Sequence, residues 1–207
     1  MCRCTIFTGG IIENLSFIDV KSVEESFVIC ADSGYLYAKE LGLKPDLVIG
    51  DYDSLGFTPD EESIFTFPVE KDDTDLMLAI KEALKRGYDN IDIYGGLGGR
   101  FDHTMGNIQA LGYLAEHNAK GRILSDNEQI EVLNPDEYVF KKKEGWSLSL
   151  FAYSEKVENL CISGVKYPAK TTLTNTFPLG VSNMITDSTA TISFTDGRLL
   201  MVQSKLD

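Results

Sequence analysis

Apolar and polar positions follow two different rhythms along this chain, and the change comes near residue 120. In the first part, short apolar runs read as buried strands: "CTIFTGG", "SFVICAD", "DLVIGDYDS", "NIDIYGG" and "GRILSD". Helical spacing separates them. "YLYAKELG" stops at Gly42, and "TMGNIQALGYLAEHN" lies ahead of the fifth strand. The clearest helix is "DTDLMLAIKEALKRG": Leu76, Ile80, Ala83 and Leu84 fall on one face, Lys81, Glu82, Lys85 and Arg86 elsewhere, and Gly87 suits its C-terminal cap. Strands separated by helices predict a parallel sheet covered on both faces.

From about Asn127 the helical spacing fades. "EYVFKKK", "WSLSLFAYS", "VENLCISG" and "ATISFTDGRLLMVQS" are short and rich in β-branched and aromatic residues. Asp196-Gly197 predicts a hairpin between "ATISFT" and "RLLMVQ". The expected architecture is an α/β domain over residues 1–126 with a parallel sheet flanked by helices, then an antiparallel β-sandwich over 127–207. The junction is expected between Asp126 and Asp136.

Ligands of an open parallel sheet bind beyond the carboxyl ends of its strands. Asp32 follows the second strand there, Asp51 and Asp53 the third, and "GLGGRFDH" the fourth, with Gly98, Gly99, Arg100, Asp102 and His103. Asp72, Asp73 and Asp75 open the long helix. Singly, each has a plain role as helix cap, turn former or local ion pair. Together at one end of a sheet they would repel one another, and a hard cation such as Mg²⁺ turns that repulsion into binding. A glycine turn leading into a helix admits phosphate oxygens to backbone N–H groups, and an arginine there suits phosphate. The combination points to metal-assisted phosphoryl-type transfer. No "GxxxxGK[ST]" loop and no "GxGxxG" after the first strand is present, so neither a P-loop nor a dinucleotide fold is supported.

The 207 residues carry a net charge of −13. Such a surface repels phosphate backbones and anionic lipid, so neither nucleic acid nor membrane is expected as a partner. No apolar run approaches ~18 residues, and no leader-like segment opens the chain. Four cysteines and two histidines form no complete zinc pattern. Reduced thiols in a cytoplasmic protein are the expectation.

"ADSGYLYAKELGLKPDLVIGDYDSL", "EKDDTDLMLAIKEAL" and "IYGGLGGRFDHTMGNIQAL", in that order, resemble the thiamin pyrophosphokinase family, and "SGVKYPAK" and "GVSNMIT" resemble its C-terminal signatures. The resemblance implies a homodimer that moves a diphosphate from ATP to the hydroxyl of thiamin, giving thiamin diphosphate and AMP. It implies an active site where the α/β domain of one subunit meets the β domain of the other. It makes Asp51, Asp53 and Asp75 the Mg²⁺ ligands. Asp32, Asp72 and Asp102 would support the metal, the nucleotide or the attacking hydroxyl, and Lys71, Arg100 and the Gly98-Gly99 turn would meet phosphates. Ser182 and Asn183 would face thiamin, and Tyr167 would stack on its pyrimidine ring. Ser33 stands where the family often has glycine, which bears on a turn near the nucleotide. Met77 stands where many members carry glutamate, which removes one carboxylate but leaves the metal set. Trp146 lies outside the matching motifs and reads as core. Two rival readings of the same residues are a metal-dependent phosphoesterase and a thiamin-binding protein without catalysis.

Overall fold

A computed structural model of the protein describes residues 2–50, 64–66 (backbone only) and 73–206. The chain divides into two compact units, Met1–Asp126 and Asn127–Asp207.

In the first unit the strands are β1 (Arg3–Phe7), β2 (Phe27–Ala31), β3 (Leu47–Gly50), β4 (Ile64–Thr66), β5 (Asn90–Tyr94) and β6 (Lys120–Leu124). They lie in the order β6-β5-β1-β2-β3-β4, and every neighbouring pair is parallel. β1, β2, β3 and β5 are buried along nearly their whole length, as continuous apolar runs require, whereas β6 alternates buried and more open positions. The helices are α1 (Val20–Glu24), α2 (Gly34–Glu40), α3 (Asp75–Lys85) and α4 (Phe101–Glu116), with a 3-10 turn at Leu15–Phe17. Phe7, Val28, Cys30, Val48 and Tyr94 pack with Val23, Tyr35 and Ala38 in one core cluster. The alternate residues Ile6, Ile29, Ile49 and Ile93 are equally buried. Helix α3 lies against β1, β2 and β3, and α4 against β6 and α3. Leu76, Ala79, Ile80 and Ala83 form the buried face of α3; Thr74 caps it by accepting from the Met77 N–H at 3.3 Å.

Three features of this unit were not legible as elements. Strand β4 extends the sheet beyond β3, with Val48 opposite Ile64 and Gly50 opposite Thr66. Helix α1 is five residues long, capped by Asp19. Helix α4 begins at Phe101, three residues before the start of the "TMGN" pattern, so Asp102 and His103 sit in its first turn rather than in a loop. An acidic residue there complements the helix dipole.

Asp92, mid-strand in β5, is fully buried. Arg3 on β1 reaches its Oδ2 with Nε at 3.1 Å and Nη2 at 2.7 Å. Arg122 on β6 supplies Nε to Oδ1 at 2.7 Å and Nη2 to Oδ2 at 2.9 Å. A buried carboxylate is tolerable only when paired and hydrogen-bonded, and here two guanidinium groups meet it from the flanking strands.

The second unit contains β7 (Glu128–Leu133), β8 (Glu137–Lys141), β9 (Trp146–Ala152), β10 (Lys156–Ser163), β11 (Ala169–Thr174), β12 (Gly180–Asn183), β13 (Thr189–Ser193) and β14 (Leu199–Lys205). One antiparallel sheet runs β12-β9-β14-β7, the other β11-β10-β13-β8. Leu148, Leu150 and Met201 of the first meet Val157, Leu160, Ile162 and Ile192 of the second in one core, the layering of a β-sandwich. The expected hairpin at Asp196-Gly197 is absent. β13 pairs with β8 and β10, whereas β14 pairs with β7 and β9. The connection instead crosses between sheets. Gly197 has φ +85°, and a Cβ there would run into the Lys156 carbonyl, so the dipeptide marks a left-handed turn without making its flanks partners. Trp146 also departs from expectation. It is half-buried at the start of β9, outside the core cluster, with the Lys143 ammonium 4.5 Å from its ring centroid.

Candidate active site

The carboxyl ends of β1, β2 and β5 open into a cavity of about 560 Å³. Its lining comes from four segments: Thr8 to Ile11 after β1, Asp32 after β2, Thr74 to Leu76 at the start of α3, and the Gly95–Asn107 turn and helix start after β5. The turns are held by backbone and side-chain bonds. Thr8 N donates to Tyr94 O at 2.9 Å and Gly10 N to Gly95 O at 2.8 Å, which ties the loop after β1 to the loop after β5. Tyr37 on α2 donates its hydroxyl to Gly10 O at 2.8 Å and accepts from Ile12 N at 3.2 Å. Asn107 on α4 donates its amide to Gly96 O at 2.8 Å. Tyr37 and Asn107 were missed by motif reading, because nothing in their sequence context distinguishes a turn-pinning polar group from an ordinary helix residue.

The close approach of α2 to β1 sets Asp32. A Cβ on Gly34 would strike the Phe7 carbonyl, so only glycine lets the helix begin so near the strand. The turn before it holds Asp32 at φ +53°, a left-handed conformation that aspartate tolerates better than most residues. Its backbone N donates to Ile49 O at 2.8 Å, and its half-buried carboxylate lies over Gly9. Asp75 is the first residue of α3, also half-buried.

Arg100 precedes α4 and Asp102 lies in its first turn. They form a two-point pair: Arg100 Nε donates to Asp102 Oδ1 at 3.1 Å and Nη2 to Oδ2 at 2.5 Å. Asp102 Oδ1 also accepts from the His103 N–H at 3.0 Å. The Arg100 hydrogen bonds hold the Asp102 carboxyl below the usual carboxylate range, and the same pairing raises Arg100. Asp102 is thereby a weak proton acceptor while the pair persists. Gly98 and Gly99, at φ +79° and +82°, bring exposed backbone to the rim.

Of the residues proposed from sequence, Asp32, Asp75, Gly98, Gly99, Arg100 and Asp102 therefore line one cavity. Asp51, Asp53, Lys71 and Asp72 lie outside the described residues. Among the described residues no group of three His, Cys, Asp or Glu side chains is placed to hold a metal ion. The donor type still suits a hard cation: Asp32 and Asp75 offer carboxylate oxygens to one space.

Tyr167, Ser182 and Asn183 belong to the second unit. Asn183 Oδ1 accepts from Tyr167 N at 3.0 Å and from Met184 N at 2.9 Å, and its Nδ2 donates to Tyr167 O at 2.9 Å. The carboxamide thus grips both backbone groups of Tyr167 while the tyrosine remains 59% exposed. Ser182 sits at φ +59° in an irregularity of the β12–β9 ladder, its N–H donated to Ser149 Oγ at 3.0 Å.

Comparison with known proteins decides the family. The model of the thiamin pyrophosphokinase catalytic domain matches residues 21–123, and that of the thiamin pyrophosphokinase vitamin B1 binding domain matches residues 137–199. A Bacillus subtilis (strain 168) protein named thiamine pyrophosphokinase is 35% identical over 193 residues, 87% of this chain and 88% of the relative. The chain belongs to the thiamin pyrophosphokinase family. Solved members share its fold. The crystal structure of thiamine pyrophosphokinase from Bacillus subtilis matches with a TM-score of 0.86 at 31% identity, covering 99% of both chains. That of thiamin pyrophosphokinase from Geobacillus thermodenitrificans matches with a TM-score of 0.84 at 27% identity, covering 98% of this chain and 97% of that one.

Proposed function

We propose that the chain transfers the diphosphate of ATP to thiamin, giving thiamin diphosphate and AMP, in the cavity at the carboxyl ends of β1, β2 and β5. One observation carries the reading: Asp32, Asp75, Asp102, Arg100 and the Gly98-Gly99 turn line one space in a chain of this family. Asp75, with Asp51 and Asp53, is the proposed Mg²⁺ set, supported by Asp32 and Asp72. Bound there, Mg²⁺ supplies charge neutralisation across the phosphates. The glycine turn, Arg100 and Lys71 hold the phosphate oxygens. The thiamin hydroxyl oxygen bonds to the β-phosphorus, the bond from that phosphorus to the AMP oxygen breaks, and a carboxylate takes the hydroxyl proton. Asp102 serves that last role only after Arg100 turns from it to a phosphate; Asp72 is the other candidate. Positioning and charge neutralisation supply most of the acceleration.

Tyr167, Ser182 and Asn183 form the proposed thiamin side. Tyr167 offers an exposed ring for stacking, and the carboxamide of Asn183 fixes the backbone that carries it. A homodimer that places this side over the partner's cavity is supported by exposed Phe177, Leu179 and Val181 on and before edge strand β12. Among the described residues no helix is long and apolar enough to cross a membrane. A cytoplasmic location is part of the proposal, supported by four cysteines that form no disulfide.

The test follows AMP release with ATP, Mg²⁺ and thiamin. AMP that appears only with thiamin is expected, with a fall of ~10²-fold or more in Asp75→Asn. Phosphate released without thiamin makes the chain a phosphoesterase. Tight thiamin binding with no AMP makes it a non-catalytic thiamin-binding protein.

A further inference from the structure

One hydroxyl on α2 holds the loop after β1 from both sides of Ile11. Tyr37 donates to Gly10 O at 2.8 Å and accepts from Ile12 N at 3.2 Å. Ile11 between them lines the cavity of the first unit and is 60% exposed. A side chain left mostly in water has few packing contacts to fix it, so the bonds on either side set its place. Those bonds have a firm origin. Tyr37 is half-buried and packs against the core cluster that contains Phe7, Tyr35 and Tyr94. Ile11 in turn faces the glycine turn after β5. A Cβ on Gly98 would stand 3.1 Å from Ile11 Cβ and 3.3 Å from Ile11 O, so the loop after β1 lies directly along Gly98. Gly98 is at φ +79°, and glycine has more alternative conformations open to it than any other residue. A turn of two glycines therefore gains its shape from what lies against it. Contacts run without a break from the core beneath α2, through Tyr37 and Ile11, to Gly98.

We propose that Tyr37 is a positioning residue for diphosphate transfer, a role that rests on the proposed function of this cavity: through Ile11 it keeps the Gly98-Gly99 turn in the conformation that receives the phosphates of ATP. Donors already aimed at developing charge stabilise a transition state without reorganising first. Loss of the hydroxyl is then felt in turnover with ATP as well as in folding. A plainer role, in which Tyr37 only satisfies two polar groups of the loop, lowers stability and leaves the kinetics of the folded protein unchanged.

Tyr37→Phe removes the hydroxyl and keeps the ring. Full-length wild type and variant are compared at a temperature where circular dichroism shows both folded. AMP release with Mg²⁺ is followed while ATP and thiamin are varied in turn. In the variant kcat/KM for ATP is expected to fall about tenfold, the scale of one or two lost hydrogen bonds, with KM for thiamin within about twofold. Ile11→Gly, which removes the side chain between the two bonds, is expected to cost a similar factor. The double variant is expected to lose less than the product of the single losses, because both changes act on one link. Wild-type kcat/KM for ATP in folded Tyr37→Phe overturns the role, however far stability has dropped, and so do single losses that multiply in the double variant. Should Tyr37→Phe not fold, Ile11→Gly decides alone: wild-type kcat/KM for ATP overturns the link and a tenfold loss upholds it. A wild type that releases no AMP with thiamin removes the proposed function and this role together, whereas a wild type that transfers beside an unaffected variant removes the role of Tyr37 only.

Discussion

At the scale of single residues, two side chains do something other than their motif suggests. Asn183 spends its carboxamide on the Tyr167 backbone, so in the proposed thiamin side it is a positioning residue that acts through Tyr167. Asn183→Ala is expected to raise KM for thiamin about tenfold, the scale of one or two lost hydrogen bonds, with kcat within about twofold, and Tyr167→Ala to reproduce the KM change. Steady-state kinetics of the three proteins checks it; an equal fall in kcat and kcat/KM would instead put Asn183 in contact with the transition state. Asp102 is the second case. Its carboxyl is held below the usual range because Arg100 bonds it, so Arg100→Gln is expected to move the midpoint upward, read by carbon NMR of the labelled carboxyl; an unchanged midpoint would remove Arg100 as the cause. The gathering of Asp32, Asp75, Arg100 and Asp102 was legible because each follows a recognisable strand or opens a recognisable helix. The bonds that Asn183 and Asp102 make were not legible, since a side chain's partner depends on backbone brought from elsewhere in the chain.

Elements show where local rules hold and where they stop. The parallel strands and the faces of α3 follow from hydrophobic spacing, because burial there requires uninterrupted or 3.6-periodic apolar positions. The Asp196-Gly197 turn shows the limit: a local signal fixes a backbone bend, while which strands pair depends on cores formed by distant residues. β14 finds β7 and β9 because alternate side chains such as Met201 must face the sandwich core. Strand β4 lacked a distinctive signal, being three residues long. Glycine at the start of α2 marks another packing rule. Gly34→Ala is expected to destabilise the chain by about 1–3 kcal/mol, the range for overpacking, because the new methyl meets the Phe7 backbone, which cannot swing aside as a side chain can. Chemical denaturation checks the size. Asp32 sits two residues earlier in the same turn, so diphosphate transfer at low temperature, where the variant is folded, is expected to fall as well.

Over the whole molecule, stability couples to two buried groups of the parallel sheet. Asp92 joins three strands through Arg3 and Arg122, and Asp92→Asn removes the charge that both guanidinium groups face. Breaking such a buried pair costs about 3–5 kcal/mol; the partial exposure of Arg3 and Arg122, at 30% and 35%, places the expected loss at the lower end. Cys4, on the same β1 strand, sets a pH limit. Burial, assisted by the nearby Asp46 and Asp92 charges, pushes its thiol from 9.0 up to about 12. In the unfolded chain the thiol loses its proton near 9.0, while in the fold it stays neutral to about 12. Between those values unfolding releases a proton, so stability falls as pH rises, by as much as about 1.4 kcal/mol per unit from this group; below that window the group contributes no slope. Cys4→Ala is expected to flatten the alkaline limb of a stability-versus-pH curve, though removing the buried sulfur lowers the curve throughout. Alkylation at pH 8 gives an independent check. Exposed Cys2 and Cys161 react in the native chain, whereas buried Cys4 and Cys30 are protected. With its thiol near 12, Cys4 has only about one thiolate in 10⁴ at that pH, so its labelling is expected to track unfolding of the parallel sheet. Labelling of Cys4 as fast as that of Cys2 in native buffer would show that β1 opens without global unfolding, and the alkaline argument would then fail with it.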